Sequence, residues 1–441
     1  MSGLARIMLN RGFIVTGSDL KNSSIIENLE RLGVKVYLSH DENNINNADL
    51  VVYTAAIKKD NKEYQKAIKL GIPTMERSEF LGQIMKSYKY SINISGTHGK
   101  TTTTAMISKI ALEENLNPTI HVGGELDIIG GNTLVGGNEY FITEACEYVD
   151  SFLKFHPYVA LVSNIEEDHL DYFSGIDEIK NSFYKFISLV PEDGYVVGNL
   201  DDNNVADILK KEIRCKNIIT YSIHNRNAKW RAVDIEFDEK GCGSFTIARN
   251  NISYCRISLS VPGMHNVLNA LAATVVSLEI GVRKETVVDA LKDFVGVHRR
   301  FEYKGEKNGV TVIDDYAHHP SEIKTTLKTA KSGQFNRVWC VFQPHTYTRT
   351  KALLNEFLEA FYDADNIIIT DIYAAREKDT GEINSNVLVE KLQEKNVNAV
   401  YIKDFDDIIS YLDKNAKDND VILTMGAGDV YKVGQKYLNQ K

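Results

Sequence analysis

Three features of the sequence predict a three-domain α/β protein built on doubly wound sheets. Strand-like and helix-like segments alternate through most of the chain, the pattern that layers helices on a largely parallel sheet. The 441 residues amount to about three domains at ~150 residues each. A composition of 43% hydrophobic and 25% charged residues supplies apolar material for several cores and polar surface to cover them.

The first unit runs over residues 1–86. It has a helical start, then strands at Phe13–Thr16, Val34–Leu38 and Leu50–Tyr53. Asp19 comes just after the first of these strands, where an acid meets ribose hydroxyls in a Rossmann-like domain. The second unit, 87–295, opens with the strand Tyr90–Ser95. It continues through β-rich stretches at Trp230–Phe237 and Ser244–Leu259 and closes with two helical patterns between His265 and Phe294. The third, 296–441, carries the apolar strands "VTVID", "RVWCVF", "NIIIT" and "DVILT", separated by helical segments.

The net charge of −9 is spread without long runs, which argues against a nucleic-acid surface, since that needs a basic stripe. No stretch approaches the ~18 apolar residues of a membrane helix, and the start "MSGLARIMLNRGF" lacks a signal peptide's apolar core. The five cysteines form no CxxC pair and read as free thiols. A cytoplasmic protein without nucleic-acid or membrane partners is expected.

The stretch with most chemistry is "NISGTHGKTTTT", Asn93–Thr104. A glycine turn between a buried strand and a helix presents backbone N–H groups where the helix dipole favours anions. Lys100 would then reach outer phosphates, and the Thr101 hydroxyl would ligate magnesium. Gly96 and Gly99 permit close backbone approach. The usual phosphate loop has four residues between its glycines, yet Ile94 occupies the position of the first, and only Thr97 and His98 separate Gly96 from Gly99. A short turn of purely structural use is therefore the competing reading; the strand before and helix after favour nucleotide binding, which makes the second unit a P-loop ATPase domain. Two acid-rich segments follow later strands: "YFITEACEYVDSF" with Glu144 and Glu147, and "VALVSNIEEDHLD" with Glu166, Glu167, Asp168, His169 and Asp171. A carboxylate, Thr101 and phosphate oxygens make a reasonable Mg2+ cage. Alternatively, these acids are simply solvated and His169 caps a helix.

The blocks "GTHGKTTTT", "NIEEDHLD", "VPGMHNVLNALAA", "DDYAHHP", "FQPHTYTRT", "DIYAARE" and "TMGAGD" occur in that order. Together they resemble the ATP-dependent Mur ligases over nearly the whole chain. The resemblance implies three domains: one Rossmann-like for a UDP-sugar, one for ATP, and a C-terminal Rossmann-like one for an incoming amino acid. The implied reaction joins L-alanine to the carboxylate of UDP-N-acetylmuramate through an acyl phosphate, in peptidoglycan precursor synthesis, with ATP and Mg2+ as cofactors. A homodimer is an assembly this reading allows.

The resemblance also implies residue roles. Gly96, Thr97, His98, Gly99, Lys100, Thr101 and Thr102 match the phosphate loop. Glu144 and His169 match a metal pair that, with Lys100, forms the catalytic set. Asn266 and Asn269 match adenine contacts, and Arg300 and Asp315 an ATP contribution made on domain closure. Ser18 and Asp19 would meet the UDP-sugar. The third unit's strands run into "DDYAHH", "QPHTYTR", "DIYAARE" and "MGAGD", and ligands bind beyond strand carboxyl ends in such sheets. There Arg349 suits a carboxylate, its fork matching two oxygens, while Tyr316, His318 and His345 would orient the amine. A histidine-containing turn before proline is the plain alternative for "AHHP".

The family pattern also carries a strand and a glycine-rich turn before "MSGLA". The first domain is thus expected to be truncated, with Met1 an internal start, which puts sugar-nucleotide binding in doubt. Thr346 stands where many relatives have arginine and receives no role. Lys180 and Lys185 lie near where some sister ligases carry a carbamylated lysine, without a convincing match. Two other functions fit part of the pattern: a nucleotide-binding protein without ligase activity, and a sister ligase that adds a tripeptide.

Overall fold

The structure, a computed structural model, describes residues 1–439. Its largest sheet has ten strands, all between Tyr90 and Pro262 of the central region, and its order explains the site. The phosphate-loop strand Tyr90–Ser95 is flanked on one side by Tyr140–Glu144 and on the other by Val159–Val162, both parallel to it. Registers Ile94↔Glu144 and Ser95↔Val162 bring the carboxyl ends of all three to one edge. Segments 96–102, 144–150 and 163–171 therefore leave the sheet side by side. The strands are buried on both faces, as expected where helices cover a parallel sheet.

The stretch Ser244–Leu259 resolves into a hairpin, Cys242–Arg249 and Ile252–Pro262, turning at Asn250 and Asn251 with φ of 48° and 64°. Asparagine tolerates that left-handed region, and an Asn-Asn pair is a hairpin signal within an otherwise continuous β pattern. The two expected helices follow as Met264–Glu279 and Lys284–Lys292. The first packs against Lys100–Glu113, the helix that leaves the phosphate loop.

The C-terminal region holds a six-stranded sheet, parallel except for its first strand, Glu302–Lys307. The four apolar strands expected here appear as Val310–Asp315, Val338–Phe342, Asn366–Ile369 and Val421–Met425. Registers Asp315↔Met425, Phe342↔Met425 and Phe342↔Ile369 align their carboxyl ends. The helix Pro320–Lys331 begins in a capping box: the His319 ring accepts from Ser321 N–H, and Glu322 reaches back to the His319 N–H.

The first unit contains two separate parallel pairs, Thr16–Ser18 with Lys35–Tyr37 and Val51–Tyr53 with Thr74–Glu76. Its first and last helices, Ser2–Asn10 and Arg77–Met85, do not pack chiefly on these strands. Leu4, Ile7, Leu81, Ile84 and Met85 share one core with Phe141, Phe152 and Phe183 of the central region. Gly82 allows this docking, because a Cβ there would lie 1.9 Å from the Lys154 carbonyl oxygen. The first unit's terminal helices are thus packed on the central region. No helix among the described residues is long and apolar enough to cross a membrane.

Candidate active site between the central and C-terminal domains

The loop after Ser95 turns at Gly96 (φ 138°) and again at Gly99 (φ 80°), which caps the helix Lys100–Glu113. Asn164, the second residue after the neighbouring strand, clamps the loop between them. Its Oδ1 accepts from the His98 N–H at 2.7 Å and its Nδ2 donates to the His98 carbonyl at 3.1 Å. The Thr97 hydroxyl accepts from the Glu166 N–H at 2.8 Å. The loop is thus fixed by the adjacent strand's outgoing segment, as a preorganised anion cradle requires.

Lys100 lies back across this turn. Its ammonium donates to the carbonyls of Gly96 and Thr97 and is 3.2 Å from Glu147. Burial opposes its charge, but Glu147 and neighbouring groups hold its pKa above the ordinary lysine value. Lys100 is therefore a fixed cation at the loop.

Glu147 is the hub of the acidic side. It is buried, pairs with Lys100, and lies 4.0 Å from His169 Nε2. His169 also faces Asp168 at 3.7 Å and stacks on Tyr148 with centroids 4.6 Å apart. Glu144 sits at the end of its strand and accepts from the Gly123 N–H at 3.2 Å, in the strand Thr119–Leu126 whose Gly124 lies beside Thr101. The carboxylate nearest His169 is thus Asp168, with Glu147 next, and Glu144 faces the Thr101 side. Hard oxygen donors from Thr101, Glu144 and Glu147 around a phosphate loop fit a magnesium ion. Lys180, on the helix Ile176–Ile187, pairs instead with Asp207 at 3.0 Å.

A cleft between the two domains is lined by His98, Gly99, Thr101, Thr102, Asn266, Asn269, Arg300 and Asp315, so the nucleotide residues expected from both domains meet there. Asn266 Nδ2 donates to the Pro262 carbonyl, and Asn269 Nδ2 donates to Asn266 Oδ1. Asn269 Oδ1 abuts Gly99, so this asparagine supports the loop as well as facing the cleft. Asp315 is fully enclosed and accepts from the N–H groups of Phe301 and Ala317. Burial raises its pKa to about 6 against the pull of Arg300.

Charged contacts cross the cleft. The His98 ring stands 3.4 Å from Glu166 of its own domain and 3.3 Å from Glu322 of the C-terminal domain. Neither ring nitrogen makes a hydrogen bond of good geometry, and the two carboxylates flank the ring from opposite domains. His98, Glu166 and His319 lie close enough together to resemble a metal site. Both nitrogens of His319 are already used, however, by the Glu167 carbonyl and the Ser321 N–H. The cluster is an ion-paired clasp.

Burial disfavours the His98 charge, yet the two carboxylates raise its pKa from 6.5 to about 9. A raised folded-state value means that the clasp's stabilisation is complete below pH 6.5 and is lost as pH rises through 9. Thermal unfolding of the wild type should therefore fall, relative to a His98→Gln variant, between those limits. A constant difference across that window would refute the ion-pair assignment.

Farther along the same edge, Tyr316, His318 and His345 converge. The His318 ring is 5.6 Å from Tyr316 and 5.8 Å from His345, which stacks on Tyr373 at 5.7 Å. Burial lowers the pKa of both His318 and His345 to about 4, so each imidazole is neutral at pH 7. Arg349 is adjacent but already paired, with Asp168 at 3.0 Å. Thr346 occupies a left-handed conformation, φ 69°, between the strand and its helix.

In the first unit, Ser18 donates to Glu63 at 2.6 Å beside His40. Asp19 is exposed and uses one carboxylate oxygen to accept from the N–H groups of Leu20 and Lys21.

Asn164, Glu322 and the hub position of Glu147 were not assigned roles from the sequence. Asn164 has a readable signal, an asparagine just past a strand parallel to the loop strand. Glu322 is legible as the capping-box acid of "HPSE". The preference for Glu147 depends on the path of the chain after Glu144.

A phosphate loop, acidic strand ends beside it, and a second α/β domain closing over both define a nucleotide-dependent enzyme of three domains. Comparison with known proteins agrees. Residues 1–89 match the family described as Mur ligase family, catalytic domain; 94–277 match Mur ligase middle domain; and 299–428 match Mur ligase, glutamate ligase domain. The chain belongs to the Mur ligase family. It is 59% identical over 441 residues to a UDP-N-acetylmuramate–L-alanine ligase of Acetivibrio thermocellus, covering 100% of this chain and 94% of that one. Among solved structures, the UDP-N-acetylmuramate-alanine ligase of Thermotoga maritima superposes with a TM-score of 0.82 at 26% identity, covering 99% and 95% of the two chains. A murein peptide ligase of Psychrobacter arcticus, also 26% identical and with the same coverage, gives 0.71.

Proposed function

We propose that this chain joins L-alanine to the carboxylate of UDP-N-acetylmuramate at the expense of ATP, a step of peptidoglycan precursor synthesis. The observation that carries the reading is the interdomain cleft, in which the loop residues Gly99, Thr101 and Thr102 face Arg300 and Asp315. Full-length similarity to alanine ligases supports the choice of amino acid over a tripeptide.

ATP supplies the γ-phosphoryl group that turns a poor carboxylate electrophile into an acyl phosphate, and Mg2+, held by Thr101, Glu144 and Glu147, would neutralise phosphate charge. Lys100 and the loop N–H groups stabilise negative charge as it moves between oxygens. His169 lies beside Glu147 and lines the cavity proposed for the amino acid. Tyr316, His318 and His345 would orient the attacking amine. Closure of the C-terminal domain through the His98 clasp excludes water, which would otherwise hydrolyse the acyl phosphate. Ser18 and Asp19 are placed in the sugar-nucleotide unit. The unpaired cysteines fit a reducing cytoplasm.

Phosphate release measured with ATP, Mg2+, UDP-N-acetylmuramate and L-alanine tests this reading. Turnover is expected only with all four present. Nucleotide binding without turnover would overturn the ligase reading, and faster turnover with a tripeptide would reassign the acceptor.

A further inference from the structure

The segments that follow the strands Tyr140–Glu144 and Val159–Val162 are tied together by tyrosines in both directions. The Tyr148 hydroxyl, on the first segment, donates to Asp171 of the second at 2.9 Å. The Tyr172 hydroxyl, on the second, donates back to Asp150 of the first, also at 2.9 Å. The two rings meet edge to face, with centroids 6.3 Å apart. Asp150 also accepts from the hydroxyl of Ser182, a buried residue of the helix Ile176–Ile187. That helix sends Phe183 and Phe186 into the same core as Phe152, so the brace is rooted in the body of the domain.

The backbone marks what this brace holds. Val149, Asp150 and His169 all lie in the left-handed region, at φ 50°, 55° and 54°. None is glycine, and for the β-branched Val149 that region is a true outlier. Such conformations persist only where the surroundings over-determine them. Val149 sits between Tyr148 and Asp150, and His169 two residues before Asp171. Chemistry-bearing groups are fixed with them. Glu147 directly precedes Tyr148, and its carboxylate is 4.0 Å from His169 Nε2. The Tyr148 ring lies against the imidazole, 4.6 Å between centroids and 34° between planes. Each hydroxyl link is open to water, so one alone is weak. Two links that join the same segments in opposite directions fix their register.

We propose that Tyr148 and Tyr172 are positioning residues: through Asp171 and Asp150 they lock the segment bearing Glu147 to the segment bearing His169. They thereby set the geometry of the acidic side of the site. The assignment rests on the ligase reading above, in which that side holds Mg2+. Removing groups that orient metal ligands without touching the metal costs about 10- to 100-fold in affinity or activity.

The test measures Mn2+ binding to the full chain with ADP, by electron paramagnetic resonance, beside ADP binding in EDTA and phosphate release. Tyr148→Phe keeps the ring against His169 and loses only its link; Tyr172→Phe loses the other. Each should weaken Mn2+ binding modestly, and the double variant by about 10- to 100-fold. The double loss should exceed the product of the single ones, because either link alone still holds the register. The half-saturating Mg2+ concentration for phosphate release should rise in parallel, while KM for L-alanine and metal-free ADP binding stay close to wild type. Asp171→Asn, which still accepts the hydroxyl, should keep most of the affinity that Asp171→Leu loses. Wild-type Mn2+ affinity in the double variant would overturn the proposal. So would a loss that appears equally in metal-free ADP binding, the mark of general damage to the domain. A wild type that binds Mn2+ and ADP but releases no phosphate would overturn the ligase reading, while the Mn2+ comparison would still decide the role of the brace.

Discussion

Lys100→Ala is expected to reduce kcat for phosphate release by at least about 10²- to 10³-fold, the loss seen when one preorganised charge-stabilising donor is removed. The ammonium is held at the phosphate loop by two backbone carbonyls and Glu147. Its removal has a second effect. Glu147 is buried, and without Lys100 its carboxylate would be left beside the His169 ring, 4.0 Å away. An uncompensated buried carboxylate is destabilising by about 3–5 kcal/mol when its partner is deleted, unless it takes up a proton. Lys100→Met should share the kinetic defect, which separates lost charge from lost packing. Near-normal phosphate release by either variant would be incompatible with the loop's proposed role.

The second large effect is expected from Gly96→Ala. The backbone there has φ 138°, a region L-residues rarely enter, and an added Cβ would lie 2.1 Å from Ser163 Oγ and 3.2 Å from the backbone of Asn164. Strain of about 1–3 kcal/mol combines with overpacking of similar size. Ser163 can rotate, but the Asn164 backbone can yield only by shifting the clamp on His98. Calorimetry should therefore record both a lower unfolding temperature and at least tenfold weaker binding of a non-hydrolysable ATP analogue. Gly12→Ala is a useful contrast: φ is also positive, yet nothing lies within 4 Å of the added carbon, so only strain remains. Equal behaviour of the two variants in nucleotide binding would contradict the close-approach argument.

Much of the architecture was legible because parallel strands announce themselves. Buried apolar runs such as "YSINIS" and "RVWCVF" are long enough to stand out, and each is followed by polar, glycine-bearing or ring-bearing residues. The rule that ligands gather beyond strand carboxyl ends groups Tyr316, His318, His345 and Arg349 of the third domain from the sequence alone. Sheet order was the missing information. That Tyr140–Glu144 and Val159–Val162 flank the loop strand is decided by pairing across long separations, which no local pattern encodes.

The same reason accounts for the finer discrepancies. Glu147 lies near His169 where the chain kinks after the strand, with Val149 and Asp150 at φ 50° and 55°. Alternating hydrophobicity gives no notice of such a kink. The Arg349–Asp168 pair joins residues 181 positions apart. From sequence, Arg349 looks like an unattached cation because its partner lies in another domain. Likewise Ser244–Leu259 looked like one β-rich stretch, and only the paired asparagines betray its turn.

The helices Ser2–Asn10 and Arg77–Met85 dock through apolar side chains onto the central core. Pulling them away would expose those side chains to water, at a cost of roughly 1.5–3 kcal/mol for each large one. The C-terminal domain, by contrast, grips its neighbour largely through ions: His98 with Glu322, and Asp168 with Arg349. Solvent can replace such contacts far more cheaply than an oily seam. The catalytic cycle thus has a natural division of labour, in which the first two domains travel as one platform and the third swings. Inhibitors wedged beneath the third domain would arrest that stroke without needing to imitate either substrate.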